Sequence, residues 1–294
     1  MRRHRRAVIA AAALVTVVGA VGLANAGPEP STPRPHALSE AQKDTLHEAE
    51  EVLTRACMAS HGFTTWVVPR RPLPDDRDFP YVVDDLRWAS RHGYGSDLSA
   101  QREKLRTSDP NRRYFAGLTS SEQRRALDAL HGRKSARHIT ARDPAGMTVG
   151  RVDDGCTAQA QRELYGDLET WFRVTTVTDA LAALRSRMTA GDAEFTKSVE
   201  DWSACMRARG FPYTTPQETR AAFNADRGIS REREIRTAVT EARCAASTGL
   251  SRTAHRLDER YGKQLRQRYE EEVRTRLTLE NEALARARTT VRSQ

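Results

Sequence analysis

A short motif occurs twice in this chain and organises the prediction of its fold. Residues 56–63 read Ala-Cys-Met-Ala-Ser-His-Gly-Phe, and residues 204–211 read Ala-Cys-Met-Arg-Ala-Arg-Gly-Phe. Five of the eight positions are identical, and each copy is followed by one further cysteine, Cys156 after the first and Cys244 after the second. Upstream of the motif the two segments do not match. We interpret the motif as a partial repeat that marks two loosely related halves.

The motif is typical of a helix that ends on a glycine. Gly62 and Gly210 fit the left-handed position of a Schellman ending, in which the residue after the glycine contacts the last helical turn. The predicted contact pairs are Phe63 with Met58 and Phe211 with Met206. This structural interpretation accounts for the methionine, the glycine and the phenylalanine without any ligand.

The first 26 residues have the three parts of a secretory signal peptide. Four arginines lie among the first six residues, Ala7–Ala24 is uncharged and mostly apolar, and Ala24-Asn25-Ala26 matches the small-x-small cleavage pattern. We predict cleavage after Ala26, followed by a proline-rich spacer over residues 27–38. The alternative is an uncleaved N-terminal membrane anchor, because 18 residues are near the lower limit for a span. The protein is therefore expected outside the cytoplasm, secreted or associated with the cell envelope.

Composition and charge exclude several classes of protein. Hydrophobic residues make up 38% of the chain and charged residues 30%, which is typical of a polar globular protein. The net charge of the 294 residues is +9, but the signal segment holds four arginines and no acid, so the mature chain has 44 basic and 39 acidic residues, or +5. That charge is modest, and an exported protein does not meet nucleic acid, so we expect no nucleic-acid partner.

The four cysteines predict disulfide bonds. An even number of cysteines in an exported chain is typical of disulfides, and four allow three connectivities. The repeat favours Cys57–Cys156 and Cys205–Cys244, one bond in each half. The alternative is a metal site, since Cys57 and His61 are one helical turn apart, but the sequence has no second Cys/His pair at metal spacing. We therefore predict no metal ligands.

Hydrophobic spacing predicts a mainly α protein with helical halves at residues 39–190 and 191–294. Capping boxes at Ser39 and Thr119 predict helices over about 40–60 and from 120 to the stop at Gly132. A short helix is predicted over 83–91. Another carries Cys156, with Asp153 or Asp154 as its cap, and is interrupted at Gly166. Three more are predicted: one that ends at Ala190, one that carries Phe195 to Met206, and one over 231–246. Residues 69–80 are predicted as a loop, residues 108–111 as a turn, and residues 133–152 as irregular.

The C-terminal segment predicts a long helix. From Ser251 nearly to the end there is no proline and one glycine, and apolar residues recur every fourth position from Leu257 to Leu277. Because four residues per step overshoots the 3.6-residue period, the apolar stripe winds around the helix. We interpret it as an amphipathic helix packed on the body of the protein. The alternative is a coiled coil that makes an oligomer.

Several segments resemble a family of exported proteins of high-GC actinobacteria. The matching segments are Trp202 with Cys205-Met206 and Gly210-Phe211, Asp109-Pro110-Asn111 with Tyr114 and Leu118-Thr119, Ala129-Leu130-His131-Gly132, and Gly155-Cys156. The resemblance covers roughly residues 50–270. It implies export and a helical fold, and it supplies no catalytic residues. Some members are lipoproteins, but this chain has no cysteine near the predicted cleavage site.

Motifs for known chemistries are missing from the sequence. It contains no Gly-rich phosphate loop, no His-Glu-x-x-His and no Gly-x-Ser-x-Gly, so we predict no catalytic residue and no cofactor. The acidic doublets at 75–76, 84–85 and 153–154 are interpreted as loop or capping residues. The aromatic loop over residues 92–95 is interpreted as a turn, with Tyr94 as a candidate ligand contact.

These observations favour a binding protein over an enzyme. The predicted function is a non-catalytic exported helical protein of the cell envelope or secreted space, which binds an envelope or protein partner that the sequence does not identify. The alternative is a cell-envelope hydrolase with catalytic carboxylates among Asp75, Asp76, Asp84 and Asp85, since a glycosidase needs two carboxylates across a cleft.

Overall fold

The computed structural model describes residues 35–224 and 228–293, which contain twelve helices and one β-hairpin. In chain order the elements are α1 (Glu40–Ser60), α2 (Leu86–His92), α3 (Ser96–Thr107), α4 (Pro110–Gly117), α5 (Ser120–His131), β1 (His138–Arg142), β2 (Thr148–Val152), α6 (Cys156–Tyr165), α7 (Leu168–Ala190), α8 (Ala193–Ala208), α9 (Pro216–Asn224), α10 (Arg231–Thr248), α11 (Leu250–Arg268) and α12 (Glu270–Arg292). The mainly α fold class is confirmed.

Local capping signals set the starts of α1 and α5. The Ser39 hydroxyl accepts the N–H of Gln42 at 3.3 Å, and the Gln42 side chain accepts the N–H of Ser39 at 2.8 Å. Thr119 and Glu122 form the second box in the same way. Both helices begin where the capping boxes predict, because each box satisfies backbone donors that a helix start leaves without partners.

Both copies of the repeated motif end their helices as predicted. Gly62 and Gly210 have the same positive φ of 81°. The backbone bonds that define the ending run from the Phe63 N–H to the Met58 carbonyl at 3.0 Å and from the Phe211 N–H to the Met206 carbonyl at 3.0 Å. Each phenylalanine also packs in the same apolar cluster as its methionine. The Schellman ending is confirmed in α1 and in α8.

The two disulfide bonds have the connectivity that the repeat favours. Cys57–Cys156 joins the last turn of α1 to the first residue of α6, and Cys205–Cys244 joins α8 to α10. The bonds enclose 99 and 39 residues of chain. Each disulfide therefore fixes a helix of the motif against a second helix in the same half of the sequence.

The two predicted halves share elements in three dimensions. Helix α12, from the second half, packs on α1, α6 and α7 through Ala283, Leu284 and Ala287. In the other direction, Tyr81 and Val82 pack among residues of α8, α10 and α11. The chain from Pro35 onward forms one compact unit, so the predicted boundary at residue 190 lies inside that unit.

Residues 133–152, predicted to be irregular, contain the hairpin of β1 and β2. The strands pair antiparallel, and Ile139 and Ala141 face inward while their neighbours face solvent. Between the strands, the Asp143 side chain accepts the backbone N–H groups of Ala145 and Met147 at 2.9 and 2.8 Å. The prediction missed this hairpin because strands of five residues give little periodicity, although the Asp-Pro-Ala-Gly turn was a visible signal.

Two predictions about helix starts are wrong. Of residues 108–111, only Ser108 and Asp109 connect α3 to α4, because Asp109 caps α4 and Pro110 is already its first helical residue, where the missing N–H costs nothing. Neither Asp153 nor Asp154 caps α6; the cap is Gly155, which has a φ of 89°. A Cβ at Gly155 would lie 2.3 Å from the nitrogen of Gly132, so only glycine allows the chain to pass there.

Three further helix predictions need correction. The short helix predicted over 83–91 is α2, and Val83 precedes it in an extended segment. Helices α3 and α9 were not predicted, because α3 buries only Leu98 and so carries little apolar pattern.

The long C-terminal helix is two helices, α11 and α12, with Tyr269 between them at φ −116° and ψ 32°. Both pack on the body, and the change of direction brings a new face of α12 onto α1.

The N-terminal predictions mostly concern residues outside the described ones. The proposed signal segment and the first part of the spacer lie there. At the end of the spacer, Leu38 is buried in the core, and the His36 carbonyl accepts a hydrogen bond from Asn281 at 2.8 Å. Within the described ranges, none of the helices has the length and apolar character needed to cross a membrane.

Candidate functional site

An apolar groove opens beside the first copy of the repeated motif. Three parts of the chain line it: the end of α1 with the residues that follow, then α4, then α5. The lining residues are Met58, Phe63, Thr64, Thr65, Asn111, Arg112, Tyr114, Phe115, Leu118, Ala126, Leu127 and Leu130. The groove has a volume of about 240 Å³. Leu127 on its wall is 44% exposed, and Trp66 beside it is 42% exposed.

Hydrogen bonds fix the walls of the groove. The Asn111 side chain accepts the backbone N–H of Trp66 at 2.7 Å and donates to the Trp66 carbonyl at 2.9 Å. The Tyr114 ring meets the Trp66 ring edge-on, with centroids 5.7 Å apart. On the other side, the Gln123 side chain donates to the carbonyls of Phe115 and Leu118 at 3.1 Å each. These hydrogen bonds and the ring contact hold the two walls of the groove in place.

The border of the groove is rich in positive charge. Residues 109–134, which include α4 and α5, hold six Arg or Lys residues and three acids. Two of those acids, Asp109 and Glu122, serve as helix-capping groups. Arg112 lines the groove itself, whereas Arg125 and Arg133 line an adjoining polar cleft together with Asp128 and Asp154. The groove thus combines an apolar wall with one basic side chain, Arg112, on that wall.

A polar cleft of about 480 Å³ adjoins the groove at Phe63. Its lining includes Arg125, Arg133 and His61, together with Gly155. A ring nitrogen of His61 and the sulfurs of the Cys57–Cys156 disulfide lie within 4.8 Å of one another. These three residues have the ligand types of a metal site, but sulfurs that are bonded to each other offer no thiolate to a metal ion.

Tyr94, the candidate ligand contact from the sequence, is engaged inside the protein. Its ring stacks on Phe223 with centroids 4.8 Å apart, and its hydroxyl donates to the carboxyl of Glu241. Burial next to that carboxyl raises the pKa of Tyr94 well above its ordinary value. The Tyr94 hydroxyl is therefore committed to a buried partner rather than presented to solvent.

Two buried glutamates hold the aromatic loop, and the sequence reasoning did not single them out. Glu241 is fully buried and accepts the N–H of Val83 at 3.0 Å, and burial raises the pKa of its carboxyl to about 7. Glu234 accepts the N–H groups of Tyr94 and Ser96 at 2.8 and 3.2 Å and pairs with Arg231 at 2.9 Å. Glu234 and Glu241 lie on the inward face of α10, as Cys244 does. This shared face is the one signal in the sequence that the two glutamates are buried.

The four loop carboxylates of the alternative hydrolase are each engaged with a basic side chain. The pairs are Asp75 with Arg91 at 3.6 Å and His92 at 3.7 Å, Asp76 with Arg102 at 2.5 Å, Asp84 with His255 at 2.7 Å, and Asp85 with Arg77 at 2.5 Å. Asp85 also caps α2 by accepting the N–H of Trp88. Asp84 and His255 line a cavity of about 390 Å³ that Asp258 also borders. The structure thus brings two of the four carboxylates, Asp75 and Asp84, to a histidine, and the Asp84 pair lines a cavity.

Comparison of the chain with protein-family models, with curated proteins and with solved structures finds no significant match. The site is therefore described from its own geometry.

The groove is the feature that sequence reasoning missed. The sequence does place Ala126, Leu127 and Leu130 on one face of a helix, and a stripe of that kind predicts burial in the core. Ala126 is indeed buried, whereas Leu127 is not. Which part of an apolar face is covered depends on how α4 and α5 pack, and the pattern of one helix does not contain that information.

Proposed function

We propose that the protein is a non-catalytic binding module of the cell envelope or secreted space, and that the groove beside α5 binds a peptide segment of a protein partner. The segment carries an apolar side chain next to carboxylates. The observation that carries the proposal is the open apolar groove with the cationic side chain of Arg112 on its wall. An apolar wall rewards burial of a side chain, and the cation favours an acidic neighbour.

The size of the groove favours a side chain over a larger ligand. Pockets for small molecules and cofactors are usually about 300–1,000 Å³. At about 240 Å³ the groove is below that range, so it suits one or two side chains of a peptide. Its hydrogen-bonded walls reduce the entropy lost when the peptide binds, because few groups in the protein must be ordered.

The location outside the cytoplasm has support from the disulfides. Two disulfide bonds are typical of a protein that folds in an oxidising compartment. The signal-like segment and the resemblance to exported actinobacterial proteins add to this proposal. A partner would then be a surface or secreted protein with an accessible acidic and apolar segment.

The first test uses an anionic apolar dye, 8-anilinonaphthalene-1-sulfonate, as a probe of the groove. We expect Leu127→Asp to reduce dye binding at least about fivefold, since it places a carboxylate on the apolar wall beside the probe. Leu86→Asp is the matched control, because Leu86 is 45% exposed and lies outside the groove, against 44% for Leu127. Equal dye binding by the two variants would contradict the proposed site.

The second test identifies the class of partner. Peptides displayed on phage are selected on the native protein and counter-selected on the Leu127→Asp variant. We expect enrichment of an apolar residue flanked by Asp or Glu, with affinity that falls as salt is raised. Selected peptides that bind the variant as well as the native chain, or that carry no acid, would count against an acidic partner.

The alternative function as a hydrolase depends on Asp84. Asp84 meets His255 at 2.7 Å on the wall of a cavity of about 390 Å³. Turnover of cell-wall material that disappears in Asp84→Asn, with Asp76→Asn as the control for an exposed ion pair, would support the hydrolase and displace the binding proposal. We expect no such turnover from the native protein.

A further inference from the structure

The two disulfides differ in where their buried cysteines lie. Cys156 is the first residue of α6, and Cys244 lies in the C-terminal half of α10. Both are completely buried, while Cys57 and Cys205 are half-buried. An external thiolate can therefore approach only Cys57 in the first disulfide and only Cys205 in the second. Attack there would release Cys156 or Cys244 as the leaving thiolate.

The surroundings of Cys156 favour it as a leaving group. The N–H groups of the first turn of a helix have no partners within the helix, and α6 has no side-chain cap, since its cap is Gly155. A thiolate at this position accepts those donors and lies at the positive end of the helix dipole. The ring of His61 lies beside the bond, with a nitrogen within 4.8 Å of both sulfurs, so it places a polar group next to the departing thiolate. A thiolate that is stabilised in this way leaves faster.

The surroundings of Cys244 disfavour it as a leaving group. The backbone groups around it are engaged in helix bonds, and it lies toward the negative end of the α10 dipole. In the second copy the position of His61 is occupied by Arg209, which donates to the sulfur of Cys205 at 2.7 Å. That contact stabilises charge on the attacked sulfur rather than on the leaving one. The second disulfide therefore lacks what a leaving thiolate needs.

We propose that Cys57–Cys156 is a thiol–disulfide exchange site, with a dithiol or a protein thiol as its substrate, and that Cys205–Cys244 is inert. The incoming thiolate attacks the sulfur of Cys57 and forms a mixed disulfide there. The bond between Cys57 and Cys156 breaks, and Cys156 takes the electron pair as a thiolate. With a dithiol, the second thiolate attacks the substrate sulfur of the mixed disulfide and releases Cys57 as a thiolate, so that the protein gains two electrons and the dithiol becomes a disulfide.

The cleft beside the first disulfide gives the substrate its access. Its lining includes His61, four residues after Cys57, and Gly155, next to Cys156. Arg125 and Arg133 on the same cleft are accompanied by Asp128 and Asp154, so the cleft offers polar access without selecting the charge of the thiol. This proposal does not depend on what the apolar groove binds.

The test measures the reduction of both disulfides in the same native, oxidised chain. Dithiothreitol is added in limiting amount, samples are quenched with iodoacetamide, and initial rates are read by peptide mapping. We expect Cys57 and Cys156 to be alkylated about tenfold faster than Cys205 and Cys244. With reduced glutathione, the mixed disulfide is expected on Cys57. Equal rates, the reverse order, or glutathione on Cys156 would overturn the proposal.

A pair of matched variants separates exchange chemistry from general loosening of the fold. His61→Ala is expected to slow the reduction of Cys57–Cys156 severalfold and to leave the Cys205–Cys244 rate unchanged. Arg209→Ala, at the same position of the second copy, is expected to leave the Cys57–Cys156 rate unchanged. An increase in both rates in His61→Ala would show that the histidine only supports the fold, and no change in either rate would remove it from the exchange step.

Discussion

The two copies of the repeated motif have the same local structure and opposite surroundings. In the second copy, Trp202 and Met206 are completely buried among residues of α8, α10 and α11. In the first copy, Met58 and Phe63 are also buried, at 3% and 8% exposed, but they line a groove that is open to solvent at Leu127. An identical helix ending thus borders a closed core in one region and a candidate binding site in the other.

The difference comes from segments that the motif does not contain. The second copy is closed by Tyr213, whose carbonyl accepts a hydrogen bond from Ser203, and by Tyr81, which comes from the first half of the chain. At the first copy, the corresponding place is bordered by α4 and α5, and they leave a gap. The motif fixes the direction in which the chain leaves the helix. The elements packed around it decide whether its side chains stabilise a core or border a binding site.

Removal of a disulfide is expected to have the largest effect on stability. In the chain-entropy model, loss of the 99-residue loop costs about 4.7 kcal/mol and loss of the 39-residue loop about 3.9 kcal/mol. The double variants Cys57→Ala/Cys156→Ala and Cys205→Ala/Cys244→Ala, compared by urea unfolding, measure both values. The first variant should be the less stable by about 0.8 kcal/mol. The reverse order would mean that native packing, rather than loop length, dominates these bonds.

Truncation of the two motif methionines probes the closed core against the open groove. Met206→Ala leaves a cavity inside a sealed core and should cost about 3–4 kcal/mol. Met58→Ala enlarges a groove that already opens to solvent, so we expect about 2 kcal/mol. Urea midpoints at constant slope give both values. Equal losses would indicate that the first copy is as tightly closed as the second.

The buried Glu241 makes the second region sensitive to pH. Its folded pKa of about 7 lies above the ordinary value of 4.5, so the folded state holds the proton more tightly than the unfolded state. The resulting stability is fully present below about pH 4.5 and is lost as pH rises through about 7, by up to roughly 3 kcal/mol. Glu241→Gln should remove this loss between pH 5 and pH 8 in urea unfolding. Glu232→Gln, on the exposed side of the same helix, is the control and should keep it.

Substitution of the motif glycines should have the smallest effect and should be equal in the two regions. Gly62 and Gly210 share a φ of 81°, and a Cβ at either one meets no atom within 4 Å. Alanine therefore costs only the left-handed backbone, about 1 kcal/mol at each site. Gly117→Ala is the control, since Gly117 has open space and no positive φ, and it should leave the thermal midpoint unchanged or raise it. Unequal losses would show that one ending carries additional strain.

Part of the fold could be predicted because its signals are local. A capping box such as that of Ser39 and Gln42 needs only residues three positions apart, and a glycine stop such as Gly210 needs only one turn. The disulfide connectivity followed from the repeat. The hairpin, the start of α4 and the break at Tyr269 were missed, because there packing or turn geometry outweighs a weak pattern.

The candidate site depended far more on the tertiary structure. Tyr94 was a candidate contact because its loop is aromatic and glycine-rich, yet Glu241, which lies 147 residues away in sequence, accepts its hydroxyl. Leu127 shares an apolar face of α5 with Ala126 and Leu130, yet the structure exposes it. Neither outcome follows from a local pattern, because each depends on which distant segment packs against the residue.

The sequence alone determined where helices α1, α5 and α8 begin or end, which cysteines pair, and that the protein is mainly helical. The helix ends depend on backbone donors and glycine conformations that are satisfied within one or two turns, whereas the cysteine pairing followed from the repeated motif. Only the tertiary structure decided that α12 closes the first half, that two glutamates are buried beside the aromatic loop, and that the first motif borders a groove. The physical reason is that burial is a property of the whole packed chain, so one apolar face can become a core or a binding surface.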